Sequence, residues 1–342
     1  MLLLAVFIWA GCRSIGPSTI SRDRINYMTA VSDSLKTQML LNLVKIRYGD
    51  MPLFMDVSSV INQYTIDLFG AYTSTFDNYP YDYKNELEFN GRYTDRPTIT
   101  YSPMTGDKFT RSLMTPISPG VVLNFLQSGK SPEYLLNLTV QSMNGIQNQG
   151  LTTPADPRFI RLVQIISEMQ NLGGVVIKFG QDKNAGVTSL VVINPDDPKA
   201  KAGHDELKKL LKLSLEATEY TVVYGGSPSS DTEIAMVTRS VFDIMSQVAL
   251  SADIPQSDIQ EGRAYPSPPL LQEPSYKTIA RIHSGQSSSR DADVMVRYRN
   301  LWFWIDDRDL ESKRVLSTLL LMVNLAESGR PAAAPLITIP AG

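Results

Sequence analysis

Apolar and polar positions change period several times along the chain, and each change predicts an element. From 23 to 48 (DRINYMTAVSDSLKTQMLLNLVKIRY), Met28, Val31, Leu35, Met39, Leu43 and Ile46 recur at three- and four-residue steps. That spacing places them on one face of an amphipathic helix, with Gly49 as C-cap and Pro52 as a stop. Residues 53–66 (LFMDVSSVINQYTI) are rich in β-branched side chains and predict a strand. The stretch 70–84, dominated by Tyr, Asp, Asn and Thr and holding Pro80, predicts a loop; 86–94 and 97–101 predict short strands. Ser118-Pro119, Ser131-Pro132 and Asp156-Pro157 each set a capping side chain before a proline at the first helical position. The helices they open are expected to end near 128, 144 and 172.

In the second half, 175–180 and 189–194 predict a hairpin, 204–218 a helix, 219–225 a strand and 230–250 a helix. Residues 254–276 read as an irregular connection, 284–293 as a loop and 329–342 as an extended strap. Between 294 and 305, VMVRY and LWFWI flank Arg299-Asn300, a two-residue turn. The expected register sets Tyr298 against Leu301, Val296 against Phe303 and Val294 against Ile305 as a core face. Arg297, Met295, Trp302 and Trp304 then occupy the other face. A helix is expected from Asp306-Asp307 to about 326, burying Leu316, Leu319, Leu320 and Val323. Strands and helices mix without strict βαβα order. The fold class is therefore α+β, with short antiparallel strands and hairpins in one large or two closely packed domains. The expected division is 1–11 signal-like, 12–20 linker, 21–173 helix-rich and 174–342 α+β.

Composition narrows the function. The 342 residues are 43% apolar and 20% charged, enough for a sizeable core. Lys and Arg number 32 against 35 Asp and Glu, a net charge of −3, without the basic footprint of a nucleic-acid binder. The pair at 118–144 therefore reads as a packed helical hairpin, not a DNA-binding helix-turn-helix. One cysteine and two histidines exclude a disulfide framework and a Cys/His zinc site. Neither a P-loop nor a dinucleotide fingerprint completes around Gly225-Gly226, so no cofactor and no metal are expected.

The cysteine sits at a telling place. MLLLAVFIWAG (1–11) is an uncharged apolar run, and Cys12 follows it directly. Eleven helical residues reach about 16 Å against a hydrocarbon core of about 30 Å, so the run is too short to span a bilayer but suits an export signal. Ala10-Gly11-Cys12 resembles the end of a bacterial lipobox, with Trp9 where that motif has an aliphatic residue; a basic region is expected upstream of Met1. The resemblance implies cleavage before Cys12 and acylation of its sulfur. Arg13, not Asp, follows, which implies the outer membrane, facing the periplasm. Two or three acyl chains suffice for stable anchoring.

Three sets of residues offer chemistry. Asp306, Asp307, Asp309 and Glu311 cluster where a helix begins, where carboxylates cap free N–H groups; acid–base work is the alternative reading. Trp302 and Trp304, with Arg297, form a candidate platform for a glycan or peptide, or a covered face with Arg297 over Trp302. Tyr79, Tyr81 and Tyr83 belong to the Tyr-rich stretch and are candidate contact residues. The turn Arg47-Tyr48-Gly49-Asp50 reads as a helix end held by Arg47.

MLLNLVKIRYGDMPLFMDVSSVINQY (39–64), TRSVFDIMSQVALSADIP (238–255) and VRYRNLWFWIDDRDLESK (296–313) resemble a family of uncharacterised Gram-negative lipoproteins. The resemblance implies an envelope location and brings no activity or catalytic residue. The expectation is an outer-membrane-anchored lipoprotein that binds an envelope partner or assists assembly without catalysis. Two alternatives stand beside it: a glycan-acting enzyme using Asp306, Asp307 or Asp309, and a carrier of an apolar ligand.

Overall fold

The computed structural model describes residues 15–61, 63–78, 81–173, 175–182, 186–193, 198–268 and 278–327. The signal-like segment, Cys12, Tyr79 and the expected strap at 329–342 lie outside them. The architecture is α+β. Two compact units form: Met1–Ser34 with Leu53–Met104, and Leu35–Pro52 with Thr105–Gly342. This is not the expected division at 173/174. A six-stranded sheet takes strands from both sides of that point, and hydrogen-bonded ladders hold them in one body.

The first helix, α1 (Ile15–Arg47), contributes to both units and starts earlier than the periodicity suggests. Its Met39, Leu40, Leu43 and Val44 are buried, whereas Met28 is 64% exposed. In the smaller unit, β1 (Met55–Ile61) pairs with β4 (Thr98–Pro103), and β2 (Tyr64–Asn78) pairs with β3 (Tyr81–Asp95), all antiparallel. The hydrogen bond from Arg96 N to Gln63 O links the two pairs. The expected loop at 70–84 is therefore wrong: fifteen residues pair on each side of the turn. Tyr, Thr and Phe favour the pleated backbone, and period-2 alternation runs through the polar composition.

In the larger unit, α2 (Pro119–Gln127), α3 (Pro132–Thr139), α4 (Pro157–Asn171) and α5 (Pro198–Leu211) accompany a sheet. Its strands are β5 (Val140–Met143), β6 (Ile146–Gln147), β7 (Val175–Asp182), β8 (Gly186–Ile193), β9 (Glu219–Tyr224) and β10 (Glu233–Thr238). They run in the order β6-β5-β10-β9-β8-β7, antiparallel except between β9 and β10. Val122, Leu136, Phe159, Leu162, Ile165, Leu207, Tyr220 and Met236 form the core between helices and sheet. The proline-opened helices begin where expected, and Asp156 Oδ1 accepts the Arg158 N–H at 2.8 Å.

Three helix expectations need correction. Residues 140–144 are strand and turn, because Asn144 and Gly145 both take positive φ (45° and 79°) and close a hairpin. The helix at 204–218 starts at Pro198 and ends at Leu211, where Lys212 turns left-handed (φ 55°). The segment 230–250 splits into β10 and α6 (Val241–Ala249). Ser240 and Asp243 make a reciprocal capping box there, so a new helix starts mid-segment.

The last part follows the sequence closely. β12 (Ala292–Tyr298) and β13 (Leu301–Asp306) pair in the expected register, and Arg299 and Asn300 take the positive φ of a tight hairpin turn. Val294, Phe303 and Ile305 are buried. Within the expected loop, β11 (His283–Gly285) adds a third strand against β13. Before it, α7 (Gln256–Gln260) interrupts the irregular connection. The final helix, α8 (Leu310–Glu327), starts after the aspartates rather than at them.

Candidate functional site

The smaller unit carries the most exposed chemistry. Register fixes which residues share a face of the β2–β3 ribbon. One face holds the pairs Ile66/Tyr93, Leu68/Gly91, Gly70/Phe89 and Tyr72/Leu87. The other holds Thr65/Thr94, Asp67/Arg92, Ala71/Glu88 and Thr73/Glu86, with Phe69/Asn90 the one mixed pair. The large residues of the first face stand in solvent: Leu68 is 80% exposed, Phe89 75% and Tyr72 66%. With Ile66, Leu87 and Tyr93 they form an apolar surface on the order of 600 Å², at the top of what a soluble monomer carries. The glycines let the large side chains cross the strands: a Cβ at Gly70 would meet the Phe89 ring at 3.3 Å. Tyr81 and Tyr83 lie in β3, in register with Asn78 and Phe76; their side chains are outside the described part, as is Tyr79.

The tryptophan face of the larger unit is partly covered, by a strand the sequence reading did not contain. Trp304 stacks on His283 (5.6 Å, 28°), and a Cβ on Gly285 would meet the Trp304 ring at 3.3 Å. Arg297 is the cross-strand partner of Trp302 and is exposed.

The aspartates hold the start of α8. Asp309 accepts the Ser312 N–H at 3.0 Å and its hydroxyl at 2.6 Å. Burial pushes Asp309 up, but those hydrogen bonds outweigh it and hold the carboxyl below its ordinary range. Asp306 accepts the Arg308 N–H. Asp307 is paired with Lys313 at 2.5 Å, which holds it low. Among the described residues, no group of three His, Cys, Asp or Glu is placed to hold a metal ion.

One polar cluster was not foreseen. The turn 47–50 meets the hairpin turn 298–299. The Tyr48 hydroxyl donates to Asp258 at 2.6 Å, the Tyr298 hydroxyl donates to Asp50, and Arg299 donates to Asp50 at 3.0 Å while lying 4.9 Å over the Tyr48 ring. Tyr298 and then Arg299 hold Asp50 low, and burial raises Tyr48. Arg47 is buried and donates to Tyr265 O (2.6 Å) and Ser267 Oγ (2.9 Å), not to Asp50. Each polar group except Arg47 Nε is matched to a protein partner, so the cluster ties segments distant in sequence.

A groove of about 880 Å³ runs beside α3 and α4, bordered by Tyr134, Asn148, Gln164, Gln247 and Arg314. Leu138, Ile160, Val163 and Ile279 also line it, so the lining is mostly apolar with amides and charges among it, and the groove is open to solvent.

Comparison with family models, curated proteins and solved structures gives no match. Among the described residues, no helix is long and apolar enough to cross a membrane.

Proposed function

We propose that the protein is a lipoprotein of the cell envelope, anchored to the outer membrane through acylated Cys12, that works by association rather than catalysis. The association surface is the β2–β3 ribbon. The carrying observation is its exposed apolar face, with Leu68, Tyr72, Leu87 and Phe89 outward on a ribbon of only two strands. A lone two-stranded ribbon is marginal in water, and such a surface is costly unless it is covered. The glycan-enzyme reading has less support, because Asp306, Asp307 and Asp309 serve the α8 start or an ion pair.

The test is cross-linking of the full-length protein in cells, with mass spectrometry of its N-terminal peptide. The expected result is an acylated Cys12 and a discrete cross-linked assembly that the double variant Leu68→Ser/Phe89→Ser loses. Thermal unfolding of the larger unit should be unchanged in that variant. A wild-type chain that stays monomeric, or an assembly indifferent to the double variant, would overturn the reading.

A further inference from the structure

Resting on that association reading, we infer that the partner is further copies of this chain and that the medium is the bilayer. Ribbons from several copies join edge to edge and close into a transmembrane β-barrel. The Ile66–Leu68–Tyr72–Leu87–Phe89–Tyr93 face meets lipid, and the charged face lines the lumen.

Four observations lead there. The first is the sorting of residues. In register, Ile66, Leu68, Tyr72, Leu87, Phe89 and Tyr93 share one face and Asp67, Glu86, Glu88 and Arg92 the other, with Phe69 the one large apolar side chain among the charges; apolar-out, polar-in alternation is the pattern of a lipid-facing barrel strand.

The second is length. The alternation continues in the sequence to Phe76, the register partner of Tyr83. Ten residues from Ile66 to Phe76 rise about 34 Å, and a tilt of about 40° projects this to about 26 Å. The apolar band of such barrels is about 25 Å tall, with aromatic girdles at its two borders. Aromatic side chains stand at one end here: Tyr64 and Tyr93, stacked at 6.1 Å.

The third is polar satisfaction. The pair Ser74/Asn85 interrupts the apolar face, but Asn85 Oδ1 accepts both the Ser74 hydroxyl and the Tyr72 hydroxyl at 3.0 Å. The interruption thus carries its own hydrogen bonds.

The fourth is the edges. β2 and β3 pair only with each other among the described strands, so each offers a free backbone edge. In hydrocarbon an open edge is prohibitive, and only closure removes it. β3 of one copy beside β2 of the next continues the up–down antiparallel order, so one chain type suffices to close the ring. Eight strands, the smallest such barrel, require four copies; a water-filled lumen, at about sixteen strands, requires about eight. By register the inner face carries Asp67, Glu86 and Glu88 against Lys84 and Arg92, so the pore selects cations.

The test uses the full-length acylated protein and vesicles of phosphatidylcholine and phosphatidylglycerol loaded with KCl. The expected results are a cross-linked oligomer of about eight chains or more, K⁺ release, and a zero-current potential displaced toward that of K⁺ under a salt gradient. Leu68→Arg or Phe89→Arg, facing lipid, should lower the flux about tenfold or more. Thr73→Arg, facing the lumen, should keep the oligomer and weaken cation preference. Equal effects of Leu68→Arg and Thr73→Arg would overturn the inference, as would oligomers that bind vesicles without conducting. A stoichiometric unlike protein on the ribbon, with no self-association, would overturn the barrel and leave the association reading standing. A monomer without any partner would overturn both.

Discussion

Replacing Arg239 with Met should cost the larger unit about 3 kcal/mol, and the network around it says how. Arg239 is buried just after β10 and faces the C-terminal end of α3. Its Nη1 donates to Asn137 O (2.7 Å) and Leu138 O (3.0 Å), and its Nη2 donates to Gln149 O. The last carbonyls of a helix lack intrahelical donors, and a cation there also meets the negative end of the helix dipole. Asn137 O keeps a second donor in Asn148 Nδ2 at 3.1 Å, and Gln149 O keeps Gln247 Nε2 at 3.3 Å. Leu138 O has no other donor among the described contacts. The variant thus weakens two carbonyls and orphans one, at about 1–3 kcal/mol for the orphan and less for the others. Relief of the buried charge offsets part of the total. For a unit of this size, the thermal midpoint should fall by about 8 °C. The urea midpoint should fall with an unchanged slope, since no surface is newly exposed. Asn148→Ala supplies the decisive cross-check. Removing both donors orphans Asn137 O as well, so the double variant should lose about 1 kcal/mol more than the separate losses. Strict additivity, or an Arg239→Met midpoint within about 2 °C of wild type, would refute this account.

Two further outcomes are expected. Burial, and then the charge of Lys208, hold His204 below its ordinary value of 6.5. The unfolded chain therefore binds the proton more readily, so the stability from neutral His204 is complete above about pH 6.5 and is lost as the pH falls below it. Thermal midpoints at pH 7.5 and 5.5 should differ by less in His204→Gln than in wild type; an undiminished difference would assign the effect elsewhere. Asp309→Ala should lower stability by about 1 kcal/mol through the lost α8 cap, while exposed Asp307→Asn leaves the midpoint unchanged. Equal losses from both, in chemical denaturation, would contradict the capping role.

Where sequence alone succeeded, the determinants were local. A serine or aspartate before proline marks a helix start because cap and φ are set within two or three residues; all three helices start there, with side-chain caps from Ser131 and Asp156 but none from Ser118. The hairpin 292–306 was legible to the register because its turn and its alternation agree. The misreadings have the opposite character. Residues 140–143 become strand by pairing with β10, more than ninety residues away, and the Asn144-Gly145 turn was masked by an apparently continuing helix. Residues 70–84 were judged by polarity. In a ribbon with one charged face, half the positions must be polar, so composition hides a period that register makes plain.

The same contrast separates the polar groups of the two units. The segments 39–64, 238–255 and 296–313 hold arginines, tyrosines and aspartates among which a reaction centre would be sought. In the larger unit their polar groups are spent on one another and on backbone: Asp50 on Tyr298 and Arg299, Tyr48 on Asp258, Arg239 on the end of α3, Asp309 on Ser312. Groups so matched have little capacity left to bind a substrate, and their geometry depends on every partner staying in place. The ribbon is the reverse case, with large apolar side chains gathered on one face and left in solvent. A sequence that gathers Ile66, Leu68, Tyr72, Leu87, Phe89 and Tyr93 on one face of a two-stranded ribbon, yet buries none of them in its own fold, supports the proposed association, because an apolar surface of that size is costly while it stays in water.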